Sequence, residues 1–178
     1  MNWAQEIDKI TLNVELLFSE LSGEQLNWKP NSQTWSIAQN LEHLIVVNET
    51  YYPVLSALKK GTYKKPFLGN FVFIVSFFGK TVLNAVKPDR KKKMKTFSIW
   101  EPRQSSVGND IISRFKKHQT ELQKQLSDAN KLLTNRIVIS SPANKNIVYS
   151  LEMAFDIIVT HEQRHLEQAK EILRELKK

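Results

Sequence analysis

Four stretches of this chain repeat apolar residues at the spacing of one helical face. In residues 2–21, Ile7, Ile10, Val14, Leu17 and Leu21 recur at three- and four-residue intervals, a single stripe at about 100° per residue. A second stretch begins at Ser36, which with Gln39 has the form of a capping box. It is expected to run to about Lys60, kinked by Pro53 and ended by Gly61. Residues 107–130 turn Ile111, Phe115, Leu122 and Leu126 inward, and residues 150–176 carry the last stripe, Leu151, Ala154, Ile158, Ala169, Ile172 and Leu176. Between these helices, residues 22–35 read as a connection and "NRIVISSPANKNIVYS" as extended and turn-like. No stretch reads as a substantial sheet. Four long helices with one long crossover, residues 61–106, predict an all-α four-helix bundle.

Composition narrows the chemistry. Residues 1–178 read as a single domain, large enough to bury a core. The absence of cysteine excludes disulfides and thiolate metal sites, so any metal must be held by His, Asp or Glu. Charged residues stand early in "MNWAQEIDKI", so no signal peptide is expected and a cytoplasmic location is the default. The net charge is +8, most concentrated in "RKKKMK", residues 90–95. With no aromatic residues interleaved to stack on bases, that run reads as a solvated turn and not as a specific nucleic-acid site. The apolar run in "FVFIVSFFGKTVLNAV", residues 71–86, is too short for a transmembrane segment, which needs about 20 residues. The aromatic segment 67–86 is expected to be partly helical, serving as a lid over the end of the bundle or as the contact surface of a homodimer. The alternative is an element that lies on anionic lipid.

The last helix carries "VTHEQRHLEQ", in which His161, Glu162 and His165 form an HExxH sequence. Residues four apart lie one turn apart on one face, so both imidazoles can reach one ion. The zinc-protease reading of that motif fails on the third ligand. Only 13 residues follow His165, and Gln168 and Glu171 stand where a metzincin has Gly and His. A third ligand must therefore come from upstream. With Leu151 at zero angle, His161 and His165 fall at about −80° and −40°, within or beside the apolar stripe. A histidine pair there is costly unless its nitrogens are satisfied. Glu162 falls near Phe155 and Leu166; it reads as an ion pair, a support for a ligand, or a general base. Gln168, one turn on, can orient a ligand. His43 lies on a helix with a narrow polar strip and points toward the bundle or its mouth. His118, in "FKKHQTE", reads as a solvated histidine outside any site.

"LNWKPNSQTWSIAQNLEHL" and "HEQRHLEQ" together resemble the DinB-like (YfiT-like) superfamily: Trp35-Ser36-Ile37 opening the second helix, a histidine after it, and the HxxxH of the last helix. The resemblance covers nearly the whole chain and implies a four-helix bundle with a long crossover. It also implies that His43, His161 and His165 bind a divalent metal ion; imidazole donors suit Zn, Ni or Fe. The aromatic insertion at 67–86 departs from the short connection that family would lead one to expect.

Three neutral imidazoles leave a coordination position open, as catalytic sites do. An open position can acidify water toward a pKa of about 7 for hydrolysis, or hold a deprotonated thiol as nucleophile. The resemblance implies both, since some relatives look like metal-dependent hydrolases and others transfer bacillithiol, mycothiol or glutathione onto electrophiles. A chain without cysteine is compatible with a thiol cosubstrate, and thiol transfer to an electrophilic small molecule is the leading expectation. A metal-dependent hydrolase, or a stress-related binding protein with a vestigial metal site, is the alternative.

Overall fold

Each of the two helices that carry the paired histidines and His43 begins at a serine. In the computed structural model, which describes residues 1–89, 96–102 and 106–178, Ser36 and Gln39 form the reciprocal capping box ahead of α3 (Ile37–Glu49). Ser150 caps α7 (Leu151–Leu176) by accepting from the Met153 amide. The first helix, α1, is Trp3–Phe18. A short α2 (Gly23–Asn27) lies inside the stretch read as a connection; Ser22 and Gln25 cap it with a box of the same form. After α4 (Tyr52–Lys59) and a crossover containing α5 (Val72–Ala85) come α6 (Ile111–Ala129) and the strands β1 (Val138–Ser140) and β2 (Val148–Ser150). The strands pair antiparallel, with Ile139 opposite Tyr149.

The second predicted helix is two. Proline fits only the first turn of a helix, because later its ring meets the preceding turn and its missing N–H breaks the ladder. The chain therefore breaks at Thr50 and Tyr51 and restarts so that Pro53 lies in the first turn of α4. Gly61 follows α4 at a φ of 68°, the left-handed conformation that ends many helices.

α1, α3, α6 and α7 form the bundle: α3 and α1 each lie between α6 and α7. Ile7, Phe18, Leu41, Phe115, Leu122 and Phe155 meet in its core, fully buried. Each such side chain contributes about 1.5–3 kcal/mol through the water it leaves. The fold is all-α apart from the small hairpin, as the apolar pattern predicts. Among the described residues no helix is long and apolar enough to cross a membrane. The basic run 90–95 lies outside the described residues.

His118 corrects the sequence reading. It is buried, three residues after Phe115 and four before Leu122, on the stripe that faces the core. The lysines beside it in sequence point the other way. Its Nε2 lies 3.2 Å from the Asn48 amide nitrogen, and its Nδ1 lies 3.4 Å from the Tyr52 hydroxyl. The same Asn48 nitrogen donates to Glu162 Oε1 at 2.8 Å, and Gln119 donates to Glu162 Oε2 at 2.9 Å. A polar layer thus crosses the interior between α3, α6 and α7.

α5 also departs from expectation. Gly79 packs on Met153 and Tyr149, where a Cβ would come within 3.0 Å of Met153. The Arg164 guanidinium donates to the Lys87 carbonyl at 2.9 Å. α5 therefore runs alongside α7 in the same direction, with its aromatic N-terminal half beside the hairpin. Met153 and His161 are eight residues apart, about 12 Å along the helix. The phenylalanines lie at the far end from His161 and do not form a lid over it.

Two measurements follow from this packing. Gly79→Leu should lower the unfolding free energy by about 1–3 kcal/mol in urea denaturation, since no space exists for the side chain. The second concerns pH. Burial pushes His118 down to about 4 against the attraction of Glu121, so between pH 6.5 and 4 the unfolded chain binds a proton that the folded one refuses. His118 therefore removes stability as pH falls through that window, on the order of 3 kcal/mol in all. Glu162, raised to about 7 by burial against its amide donors, has the opposite slope between pH 4.5 and 7. Wild type and His118→Gln share the Glu162 slope, so their difference isolates the histidine. The difference should move toward the variant by about 3 kcal/mol between pH 7 and pH 4.

Candidate metal centre

α3 and α7 pack side by side, and the capped start of each sets which residues face the seam. On α3, Asn40 and His43 are three residues apart and share a face. On α7, His161 and His165 are four apart and do the same. The three imidazoles meet. His161 Nε2 lies 3.0 Å from His165 Nε2 and 3.4 Å from His43 Nε2. One ring nitrogen from each residue falls within a set spanning no more than 4.8 Å, a cluster that can hold a metal ion. Nitrogens 2.0–2.1 Å from a tetrahedral zinc lie about 3.3 Å from one another, so the spacing fits a common ion.

The outer ring nitrogens explain why the inner ones are free. His43 Nδ1 is 2.7 Å from the Trp100 carbonyl oxygen, which can only accept, so the ring proton sits on Nδ1. His165 Nδ1 is 2.7 Å from Asn40 Oδ1. The orientation of that amide is settled by its own nitrogen, which donates to the Ser36 carbonyl at 2.8 Å. In the neutral rings of His43 and His165 the Nε2 lone pairs are therefore bare and directed at His161. Orienting contacts of this kind raise the basicity of a ligating histidine and hold its tautomer.

Electrostatics keep the rings neutral. Burial pushes His43 down to about 4, against the Trp100 hydrogen bond. Burial pushes His161 and His165 well below the usual histidine range, reinforced by repulsion within the triad and from Arg164. Near neutral pH the cluster offers lone pairs and not protons, the state that metal coordination needs. His43 and His165 are buried and His161 half-buried, so the cluster is most open beside His161.

One aromatic ring lies against the site. The Trp35 ring stacks on His165 with centroids 5.8 Å apart and tilts against His43 at 4.8 Å. Trp100, in the turn Ser98–Trp100, reaches His43 from the crossover through its backbone carbonyl. The part of the crossover that meets the cluster is therefore this turn and not the segment 67–86. Sequence reasoning passed over Trp35, Asn40 and Trp100 as site residues. Asn40 was within reach, since it stands one turn before His43 on the same face; Trp100 had no local signal, because only the folded crossover brings it there.

Of the other candidates, Glu162 and His118 are engaged elsewhere. Glu162, considered above as a general base, is fully buried with both carboxylate oxygens held by Asn48 and Gln119. Gln168 is half-buried on α7, with no side-chain hydrogen bond among the described residues. His118 belongs to the Asn48 layer and not to the triad.

Comparison with known proteins agrees with this geometry. The chain is 29% identical over 160 residues to the uncharacterized protein YuaE of Bacillus subtilis (strain 168), covering 85% of each chain. No solved structure matches. The sequence profile of the DinB superfamily matches residues 7–169, a span that contains α3 and α6 whole, most of α1 and α7, and all three clustered histidines, and the chain belongs to that superfamily.

Proposed function

We propose that His43, His161 and His165 hold one divalent metal ion, Zn, Ni or Fe, and that the site transfers a low-molecular-weight thiol onto an electrophilic small molecule. The observation that carries the metal assignment is the pair of fixed tautomers, which leaves two bare Nε2 lone pairs facing a third imidazole. Without a cation only one proton, on His161, can sit among them. A bound metal would acidify a thiol at its open position, so that the sulfur is present as thiolate near neutral pH. The cosubstrate class, bacillithiol, mycothiol or glutathione, is the one the family resemblance implies, and a chain without cysteine is compatible with it.

Glu162 favours thiol transfer over hydrolysis. Metal-assisted hydrolysis is helped by a base positioned on the attacking water, and the carboxylate next to His161 is committed to Asn48 and Gln119. A thiolate needs no such base. Its sulfur forms the new C–S bond while the leaving group departs with the bonding pair. The Trp35 ring, packed on His43 and His165, supplies an apolar wall for the electrophile.

Metal analysis of the purified protein, followed by a panel of thiols with electrophiles such as haloalkanes and epoxides, tests this reading. His43→Ala, His161→Ala and His165→Ala should each lose metal and activity, whereas His118→Ala keeps the metal. Asn40→Ala should weaken metal binding by about 10–100-fold through the loss of the His165 tautomer lock. Turnover of esters or amides without any thiol would point to a hydrolase instead. Full metal occupancy in the three histidine variants would refute the assignment.

A further inference from the structure

One surface of the molecule is unlike the rest. Where the inner side of α5 packs on β2 and α7, its outer side carries Val72, Phe73 and Phe77, exposed by 82%, 73% and 65%. Phe67, just before the helix, is 76% exposed and packs edge-on against Phe71 at 5.7 Å. A groove of about 320 Å³ runs between Leu68, Phe73, Ile74, Phe77 and Phe78, with only apolar side chains lining it. Stable soluble domains seldom leave a contiguous aromatic patch in water without a partner for it.

The charges around the patch identify the partner. Residues 59–89 contain six lysines and one acidic residue, Asp89, while the rest of the chain is nearly balanced, with twenty basic and seventeen acidic residues. Lys64 and Lys65 lead into Phe67, and Lys80 follows Phe77 by less than one turn. All three are exposed, and none has a carboxylate partner among the described residues. A second copy meeting the patch around a twofold axis would bring together two lysine-rich surfaces, with no carboxylate in residues 59–88 to pair with them. Nucleic acid would satisfy the lysines but leave an apolar groove unfilled. Aromatic side chains at a tip rimmed with lysine match a bilayer interface, where the rings enter the headgroup boundary and the ammonium groups meet anionic lipid.

We propose that the outer face of α5, with Phe67, Phe73 and Phe77 at its tip and Lys64, Lys65 and Lys80 at its rim, docks the protein on an anionic lipid bilayer. The bundle and its histidine cluster stay in water, since the tip is at the opposite end of α5 from Arg164. The docking is peripheral and reversible, because one short apolar tip is far less than a spanning helix.

Co-sedimentation of the full chain with phosphatidylcholine vesicles, with and without phosphatidylglycerol, tests the proposal. Binding should require phosphatidylglycerol and weaken as salt screens the lysines. The Phe73→Ser/Phe77→Ser variant and the Lys64→Glu/Lys65→Glu/Lys80→Glu variant should each bind at least about tenfold more weakly. The lysine variant changes only exposed, unpaired side chains, so circular dichroism should show it folded even if the phenylalanine variant is not. Failure of the wild type to sediment with phosphatidylglycerol vesicles would overturn the proposal. So would a stable dimer that Phe73→Ser/Phe77→Ser converts to monomer, since the face would then join two copies.

Discussion

The hydrogen bond from His165 Nδ1 to Asn40 Oδ1 ties α7 to α3 at the centre of the bundle, and the site depends on it. Asn40 can accept there only because its amide nitrogen is engaged by the Ser36 carbonyl. Ser36 is itself the residue whose side chain starts α3. A helix cap, an amide orientation, a histidine tautomer and the direction of a lone pair therefore form one chain of cause. Sliding α3 by one residue along α7 would rotate Asn40 and His43 together off the seam by about 100°.

A bundle interior is an expensive place for such groups, and this one carries two polar layers. One is the histidine triad with Asn40. The other is Asn48, His118, Gln119 and Glu162, in which the Asn48 and Gln119 side-chain oxygens are buried without partners among the described residues. An unsatisfied buried polar atom costs about 1–3 kcal/mol, which the apolar contacts of the same helices must offset. The layers share α3 and α7 and are joined by the peptide between His161 and Glu162. Holding the Glu162 carboxylate between two amides also holds the rotation of α7 that turns His161 and His165 to the seam. Glu162 is a positioning residue in this account.

Much of this was legible in the residues, for stated physical reasons. Helical periodicity and the Ser36–Gln39 cap located the bundle helices to within a few residues, because apolar stripes and caps are local signals. The histidine pair was legible from spacing, since i and i+4 on an apolar face have few other uses. The resemblance of Trp35-Ser36-Ile37 and His43 to one family pointed to the third imidazole. His118 differs from its sequence expectation because its lysine neighbours mark a solvated stretch, whereas its place three residues after Phe115 turns it inward. Trp100 and the position of α5 were beyond local reading. Both depend on how a crossover of more than forty residues folds back, which no short-range pattern encodes.

If three Nε2 atoms meet on one metal ion, X-ray absorption at the edge of the bound metal will show it. The spectrum should correspond to one ion per chain, with a first shell of three imidazole nitrogens near 2.0–2.2 Å and water or another exogenous ligand completing it. The multiple-scattering pattern should be that of imidazole rings. A first shell made only of oxygens, or one with fewer than two imidazoles, would rule out a site built on His43, His161 and His165.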